Sequence, residues 1–327
     1  MSTLLGVDVN GVPSGMSPEL VHAIVSQREI KSSDEVDGLE EALGTTKKMH
    51  ENVMRQAAPG KTETYLMGLV EQTALSKGAR TAYSPIVSVR GEILHNFNYG
   101  NTLREGQLLL GDFGALMPSG YTGDITRTIP TSGTFSTQQK EVYQIVLNAQ
   151  ERAVQMLQPG TLFKAVHLAA CTEIVEGLTN LGLMRGNAEA AVEAGAHTLF
   201  YPHGLGHMIG LDVHDMENLG EEYVGYDTTV KKSKEFGLKS LRLGKSLKQG
   251  FVVTIEPGIY FIPELFHHWK STNHPCSEFL NYDKISSYLD FGGIRIEDEY
   301  LVHEDGGRLL GAPIPKQVQE VEDIMSS

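Results

Sequence analysis

The 327-residue chain holds only two cysteines, Cys171 and Cys276, and a single tryptophan, Trp269. So few thiols exclude a disulfide framework, and Cys171 lies in a stretch of helical periodicity where a thiol packs rather than pairs. Long apolar runs are missing too. Nothing approaches the roughly 20 residues that span a bilayer, so no membrane partner is expected. The opening residues, MSTLLGVDVNGVPSG, lack the basic start and apolar stretch of a secretory leader. Together these absences point to the cytoplasm. Basic residues are also scarce, 27 Lys and Arg against 41 Asp and Glu, which gives a formal net charge of −14. A phosphate-backbone partner needs a basic face, so no nucleic acid is expected. Most of this acidity serves solubility, and a carboxylate-rich cation site accounts for a few units at best.

What is present is globular: 40% apolar and 21% charged residues, enough for one large domain or two ordinary ones. Residues 1–28 show little periodicity and read as a short segment ahead of the domain proper, 29–327. Helical patterning starts at the capping-box signature Ser32-Ser33-Asp34-Glu35, continues through Val36, Leu39 and Leu43, and should stop near Pro59-Gly60. A second amphipathic segment carries Leu66, Leu69 and Val70. Strand-like text follows in PIVSVRGEILHN, QLLLGDFGALM and GYTGDITRTIP, with a hairpin turn at Pro118-Ser119-Gly120. The order then repeats. Ser136-Thr137-Gln138-Gln139 opens a helix that stops by Pro159-Gly160, another helix carries Val166, Ala170 and Ile174, and the strands GHMIGLDVHD, FVVTIEPGIY and GGIRIEDEYLV come last. Two helix–helix–strand halves suggest an internally duplicated α+β architecture with its strands meeting in the middle. Residues 217–248 and 262–290 read as long loops. The first holds the basic run VKKSKEFGLKSLRLGKSLK, whose lysines are expected to be solvated.

Several acidic residues stand where a solvated carboxylate is not expected. Asp112 follows Leu108-Leu109-Leu110, and Asp124 lies across the predicted hairpin from it. Glu256 interrupts the apolar strand VVTI, and Glu297 interrupts GIRI. Singly, each has an ordinary explanation as a turn or strand-end residue, and His207 could be a satisfied core histidine. Four carboxylates at the ends of buried strands are costly unless paired or bound to a cation. His203-Gly204-Leu205-Gly206-His207 adds two imidazoles four residues apart. Four carboxylates and one imidazole exceed a tetrahedral zinc site and suit two cations with bridging carboxylates, favouring manganese or a similar metal.

The segments GDFGALMPSGYTGDITRT, HGLGHMIGLDVHD, TIEPGIY and GIRIEDE, in this order, resemble the pita-bread metallopeptidases, which include methionine aminopeptidase, aminopeptidase P and prolidase. The resemblance runs from about Arg28 to Leu310. It implies the pita-bread fold: pseudo-two-fold halves around a curved, mostly antiparallel sheet flanked by helices. Within the family, FYPHGLGHMIGLDVHD, SLRLGKSLKQGFVVTIEPGIYFI and FGGIRIEDE look most like prolidase and bacterial aminopeptidase P. The resemblance implies two divalent metal ions, with manganese expected and cobalt, iron or zinc as alternatives. It also implies a bridging hydroxide that cleaves Xaa-Pro bonds in short proline-containing peptides. Asp112 would hold one metal, Asp124 and Glu297 would bridge both, and His207 and Glu256 would complete the other, with Glu256 also acting as general base. His203 matches a proton-shuttling histidine that touches substrate, His214 one beside the scissile carbonyl, and His95 one in the substrate pocket. Arg295 matches an arginine that supports the metal-site carboxylates. Arg242 falls where prolidases hold the free carboxylate of a dipeptide.

That arginine makes a Xaa-Pro dipeptidase the leading reading. The alternatives are aminopeptidase P-type cleavage of longer peptides and a non-hydrolytic or creatinase-like relative, and phosphoester hydrolysis would be promiscuity. Two departures stand out. The Asp112–Asp124 spacing is one residue longer than is usual in the family, which places the extra residue at the hairpin tip. The separate N-terminal domain of prolidases and aminopeptidase P has almost no counterpart here, as in a fragment or in a short form like methionine aminopeptidase. A homodimer is left open.

Overall fold

A computed structural model of the chain describes residues 16–327. Two long helix pairs organise it. Helix α1 (Pro18–Arg28) leads into α2 (Ser33–Gln56), which packs on α3 (Glu63–Ser76). In the second half α4 (Thr137–Val154) packs on α5 (Phe163–Asn180), followed by the short α6 (Ala188–Glu193). Between and after these pairs lie β1 (Arg80–Thr81), β2 (Ile86–Ser88), β3 (Leu108–Asp112), β4 (Ala115–Leu116), β5 (Thr126–Pro130), β6 (Val252–Ile255) and β7 (Gly258–Tyr260). After them come α7 (Pro263–Thr272), β8 (Gly293–Arg295), β9 (Asp298–His303), β10 (Gly306–Leu309) and α8 (Val318–Met325).

The expected duplication is visible down to single hydrogen bonds. Both long helix pairs open with a complete capping box, Ser32 with Glu35 and Ser136 with Gln139. Both pairs turn at a Pro-Gly whose glycine sits at φ +90° (Gly60) or +91° (Gly160), a backbone region that favours glycine. Gly60 N–H donates to the Leu103 carbonyl and Gly160 N–H to that of Leu247, at 2.9 and 2.8 Å. In return Leu103 N–H donates to Lys61 and Leu247 N–H to Thr161, both at 2.8 Å. The strands match as well: β2-β3-β5 in the first half and β10-β9-β6 in the second are antiparallel three-stranded sheets. The halves join in the middle. Glu297 N–H donates to the Thr126 carbonyl at 3.0 Å, and Thr128 exchanges hydrogen bonds with the backbone of Arg295. This is the α+β pita-bread architecture.

Five details differ from the sequence expectation, the first being that 262–290, read as a loop, holds the ten-residue helix α7 (Pro263–Thr272). Pro18–Arg28, within the segment expected to be irregular, is a helix capped by Ser17, and it buries Val21 and Val25. Its polar neighbours mask that pattern in sequence. PIVSVRGEILHN narrows to the three residues of β2, because residues 90–96 turn away. GHMIGLDVHD is not a regular strand. It lies along β6 through Met208–Val253 bridging, but His207 N–H bonds to the Thr254 hydroxyl at 3.1 Å, which breaks the ladder. The basic run is not all solvated, since Lys245 is 6% exposed and donates to Glu29 at 2.7 Å. The predicted turn stands as expected: Met117 N–H and the Tyr121 carbonyl close Pro118-Ser119-Gly120 at 3.0 Å. Both cysteines are free and buried. Among the described residues no helix is long and apolar enough to cross a membrane.

The core also contains a neutral histidine with a measurable consequence. His50 stacks on Phe113 with ring centroids 4.0 Å apart, and its Nε2 lies 3.1 Å from the Phe113 carbonyl. Burial, and then the Arg127 guanidinium, push its pKa down to about 3. An unfolded histidine titrates near 6.5, so below that pH the unfolded chain binds a proton that the folded chain refuses. Stability contributed by this difference is intact above about pH 6.5 and falls by about 1.4 kcal/mol per pH unit below it. His50→Gln is expected to reduce the pH slope of unfolding free energy by one proton between pH 6.5 and 4.5. Urea unfolding of the metal-free protein measures it, and an unchanged slope would refute the assignment.

Candidate metal centre and active-site pocket

Each half of the fold delivers its carboxylates in the same way. Asp112 closes β3 and Glu256 directly follows β6, each six residues after a turn glycine with positive φ, Gly106 or Gly250. Asp124 precedes β5 and Glu297 precedes β9, the antiparallel partners of those two strands. Glu256 and Glu297 therefore interrupt their strands for a structural reason. Each sits in the step between two sheets, β6 to β7 and β8 to β9, where the backbone leaves one ladder for the next.

All ten residues singled out in the sequence line one cavity of about 680 Å³. At its floor, donor atoms of Asp124, His207 and Glu297 lie within 4.8 Å of one another. His207 Nε2 is 3.3 Å from Asp124 and 3.8 Å from Glu256. Its Nδ1 lies 3.0 Å from the Met208 carbonyl, so Nδ1 carries the proton and Nε2 faces the carboxylates. Asp112 joins the group through Arg295, whose Nη2 donates to it at 2.5 Å. His203 stands 3.9 Å from Glu256, and its Nε2 is 2.8 Å from the Tyr260 hydroxyl, which also accepts from Arg295 at 2.9 Å. His214 packs edge-on against His207 with ring centroids 4.4 Å apart. Arg242 lines the pocket but is paired with Glu217 at 2.5 Å. His95 lies in the pocket wall, its ring parallel to Phe97 with centroids 6.5 Å apart.

Five residues of the site were not singled out. The Tyr83 hydroxyl reaches Asp112 at 2.6 Å and also Asp124, spanning the two carboxylates of the hairpin. Tyr260 links His203 to Arg295. Thr126 donates to Glu297 at 2.6 Å, and Glu299 accepts from the Asp124 N–H at 2.7 Å. Arg127, fully buried, clamps the Glu297 carbonyl at 2.7 Å and the Asp298 carboxylate at 2.6 Å. Tyr260, Thr126, Arg127 and Glu299 lie inside the motifs and could have been flagged by adjacency. Tyr83 stands in RTAYSP, where nothing in the sequence marks it.

The electrostatics describe a group of carboxylates that resist ionising together. Burial, with Asp124 and Asp112 adding, pushes Glu256 up to about 7. Burial and the other three carboxylates hold Glu297 well above the usual range. Asp112 is raised by burial in spite of Arg295. Burial also works against Asp124, but the hydrogen bond and charge of His207 hold its pKa below the usual value. Burial works against a charge on His207 as well, but the Asp124 hydrogen bond and the charges of Asp124 and Glu256 together raise its pKa. Burial first, then Arg295 for His203 and His207 for His214, push those two imidazoles down to about 3. A divalent cation relieves this crowding, and an oxygen-rich set with one imidazole fits such an ion.

The family model described as "Metallopeptidase family M24" matches residues 37–304. The chain belongs to metallopeptidase family M24. Its membership carries divalent metal ions as the family cofactor, in agreement with the donor set at the pocket floor. The chain is 33% identical over 314 residues to a probable Xaa-Pro aminopeptidase of Botryotinia fuckeliana, covering 94% of this chain and 65% of that protein. It is 33% identical over 312 residues to the Xaa-Pro dipeptidase of Homo sapiens, covering 93% and 61%. Among solved structures it resembles a variant of Escherichia coli aminopeptidase P in complex with substrate, with a TM-score of 0.76 at 31% identity, covering 93% and 61%. The chain thus spans under two thirds of the length of these relatives.

Proposed function

We propose that this M24 chain hydrolyses Xaa-Pro peptide bonds, in the first place those of Xaa-Pro dipeptides, with two divalent cations that are most simply manganese. Asp112 would hold one cation, Asp124 and Glu297 both, and His207 and Glu256 the other. The central position of Asp124 and Glu297 beside His207 supports this division. Bound there, the cations would supply a nucleophile at neutral pH by acidifying water and would polarise the scissile carbonyl. Glu256, on the open side of the floor with its side chain 19% exposed, is placed to accept the proton of that water. The leaving prolyl nitrogen comes from a tertiary amide without an N–H, so it must take up a proton as the C–N bond breaks. Neutral His203, bonded to Tyr260 and near Glu256, is placed to hand it on. His214, neutral beside His207, can donate an N–H to the carbonyl oxygen as charge develops there.

The observation that carries the dipeptide reading is Arg242 on the wall of the same cavity, where its guanidinium can take a free carboxylate. Glu217 pairs with Arg242, so a substrate carboxylate must share or displace that bond. The alternative, aminopeptidase P-type cleavage of longer peptides, draws support from the structural neighbours. The complete set of five donors stands against a creatinase-like enzyme or a binding module. The free thiols fit a cytoplasmic location.

The deciding experiment compares turnover of a Xaa-Pro dipeptide and a Xaa-Pro-Yaa tripeptide with added manganese. The dipeptide is expected to be preferred, and Arg242→Ala to raise its KM about 10- to 100-fold, the value of a charge-assisted hydrogen bond, with a smaller effect on the tripeptide. Faster tripeptide turnover with no KM change in the variant would transfer the assignment to aminopeptidase P. Neither substrate being cleaved by manganese-loaded protein would remove both.

A further inference from the structure

We infer that His167, Cys171 and His197 form a separate binding site for a single zinc-class cation, apart from the carboxylate centre. One donor atom from each of the three lies within 4.8 Å of the others. His167 and Cys171 are one turn apart on α5, so their side chains share a face, and Cys171 Sγ already lies 3.5 Å from His167 Nε2. Zinc holds sulfur at about 2.3 Å and nitrogen at about 2.0–2.1 Å, which separates tetrahedral ligands by roughly 3.4–3.6 Å. One pair is therefore already at ligand spacing, and His197 lies within 4.8 Å of both. Its donors, a thiol and two imidazoles, are softer than the oxygen-rich set at the pocket floor. They select zinc and related borderline-soft ions over manganese.

These buried side chains are also short of hydrogen-bond partners. His197 is 2% exposed, and neither of its ring nitrogens has a hydrogen-bond partner among the described residues. Among the described residues His167, fully buried, has no partner at Nδ1, and the buried Tyr201 hydroxyl, on a ring 5.6 Å from that of His167, has none either. Buried polar groups are nearly always satisfied, and a cluster that is not calls for a missing partner. A cation supplies one partner to all three donors at once. The site lies directly behind the catalytic pocket, since Tyr201 packs edge-on against His203 with centroids 4.8 Å apart. An ion here would tie α5 to the segment 196–207 that carries His203 and His207, acting as a staple rather than a catalyst. This inference does not depend on the substrate proposed above.

Cobalt distinguishes the two centres, because only this one contains a thiolate. The full chain, produced in cobalt-supplemented medium so that the buried site fills during folding, is expected to show a near-ultraviolet thiolate-to-cobalt charge-transfer band. The carboxylate centre cannot give that band. It should persist in Cys276→Ser, vanish in Cys171→Ser with loss of about one metal equivalent, and be displaced when the protein is produced in zinc instead. Should Cys171→Ser fail to fold, His197→Gln serves as the second variant, and the Cys276→Ser spectrum still decides because it leaves one thiol. No thiolate band in the cobalt protein, or a band that Cys276→Ser abolishes, would overturn the inference and leave buried water as the missing partner.

Discussion

Asp124→Asn is expected to lower kcat/KM for a Xaa-Pro peptide by about a thousandfold or more while the fold survives. Asparagine keeps the size of the side chain and the backbone N–H that donates to Glu299, so the hairpin retains its anchor. What disappears is the negative charge at the most crowded point of the floor, where Asp124 faces His207 and the Tyr83 hydroxyl and raises the pKa of Glu297 and Glu256. An amide oxygen is a poor bridging ligand, so metal stoichiometry should fall with activity. Without metal, the variant loses the His207 ion pair and is relieved of carboxylate repulsion, two effects of opposite sign. Its metal-free melting temperature should therefore stay within a few degrees of wild type. Elemental analysis, steady-state kinetics and a chelated thermal melt measure the three quantities. Near-normal turnover with both metals retained would sink the bridging assignment.

The reasons that Glu256 and Glu297 stand out in the sequence also explain what does not. Carboxylates that break apolar strands are visible as text because burying them is costly, and the fold places all four on one floor. Capping boxes and Pro-Gly stops are local signals, which is why the helix pairs and their duplication were legible. Tyr83 and the Tyr260–Arg295–Asp112 chain depend on tertiary approach, since Tyr83 stands 29 and 41 residues from the carboxylates it spans. The segment 206–215 misled for a different reason. Its alternation resembles a strand, but a threonine hydroxyl replaces a carbonyl as partner for His207, and the ladder fails there. Lys245 was hidden by its basic neighbours, although its partner Glu29 lies 216 residues away. Arg242 lines the pocket, but its pairing with Glu217 could not be read from a loop.

Gly206→Ala is expected to disable the site without altering a single functional side chain. The segment His203–Met208 runs so close to β6 that a Cβ on Gly206 would lie 1.9 Å from the Thr254 carbonyl oxygen. That neighbour is backbone, held at the same residue by the bond from Thr254 N–H to the His207 carbonyl at 3.0 Å, so it has little room to yield. The segment must move away from β6, and His207 moves with it, out of its position 3.3 Å from Asp124. A displacement of about 1 Å in a catalytic group costs on the order of a hundredfold in rate. The strain of forcing the strand and segment apart should cost about 3 kcal/mol in stability. Gly68→Ala supplies the control: Gly68 is an exposed mid-helix residue of α3 with nothing within 4 Å of an added Cβ, so it should be neutral or stabilising by up to about 1 kcal/mol. Urea unfolding and metal titration of both variants test the contrast. Wild-type metal affinity and turnover in Gly206→Ala would show that the approach to Thr254 does not position His207.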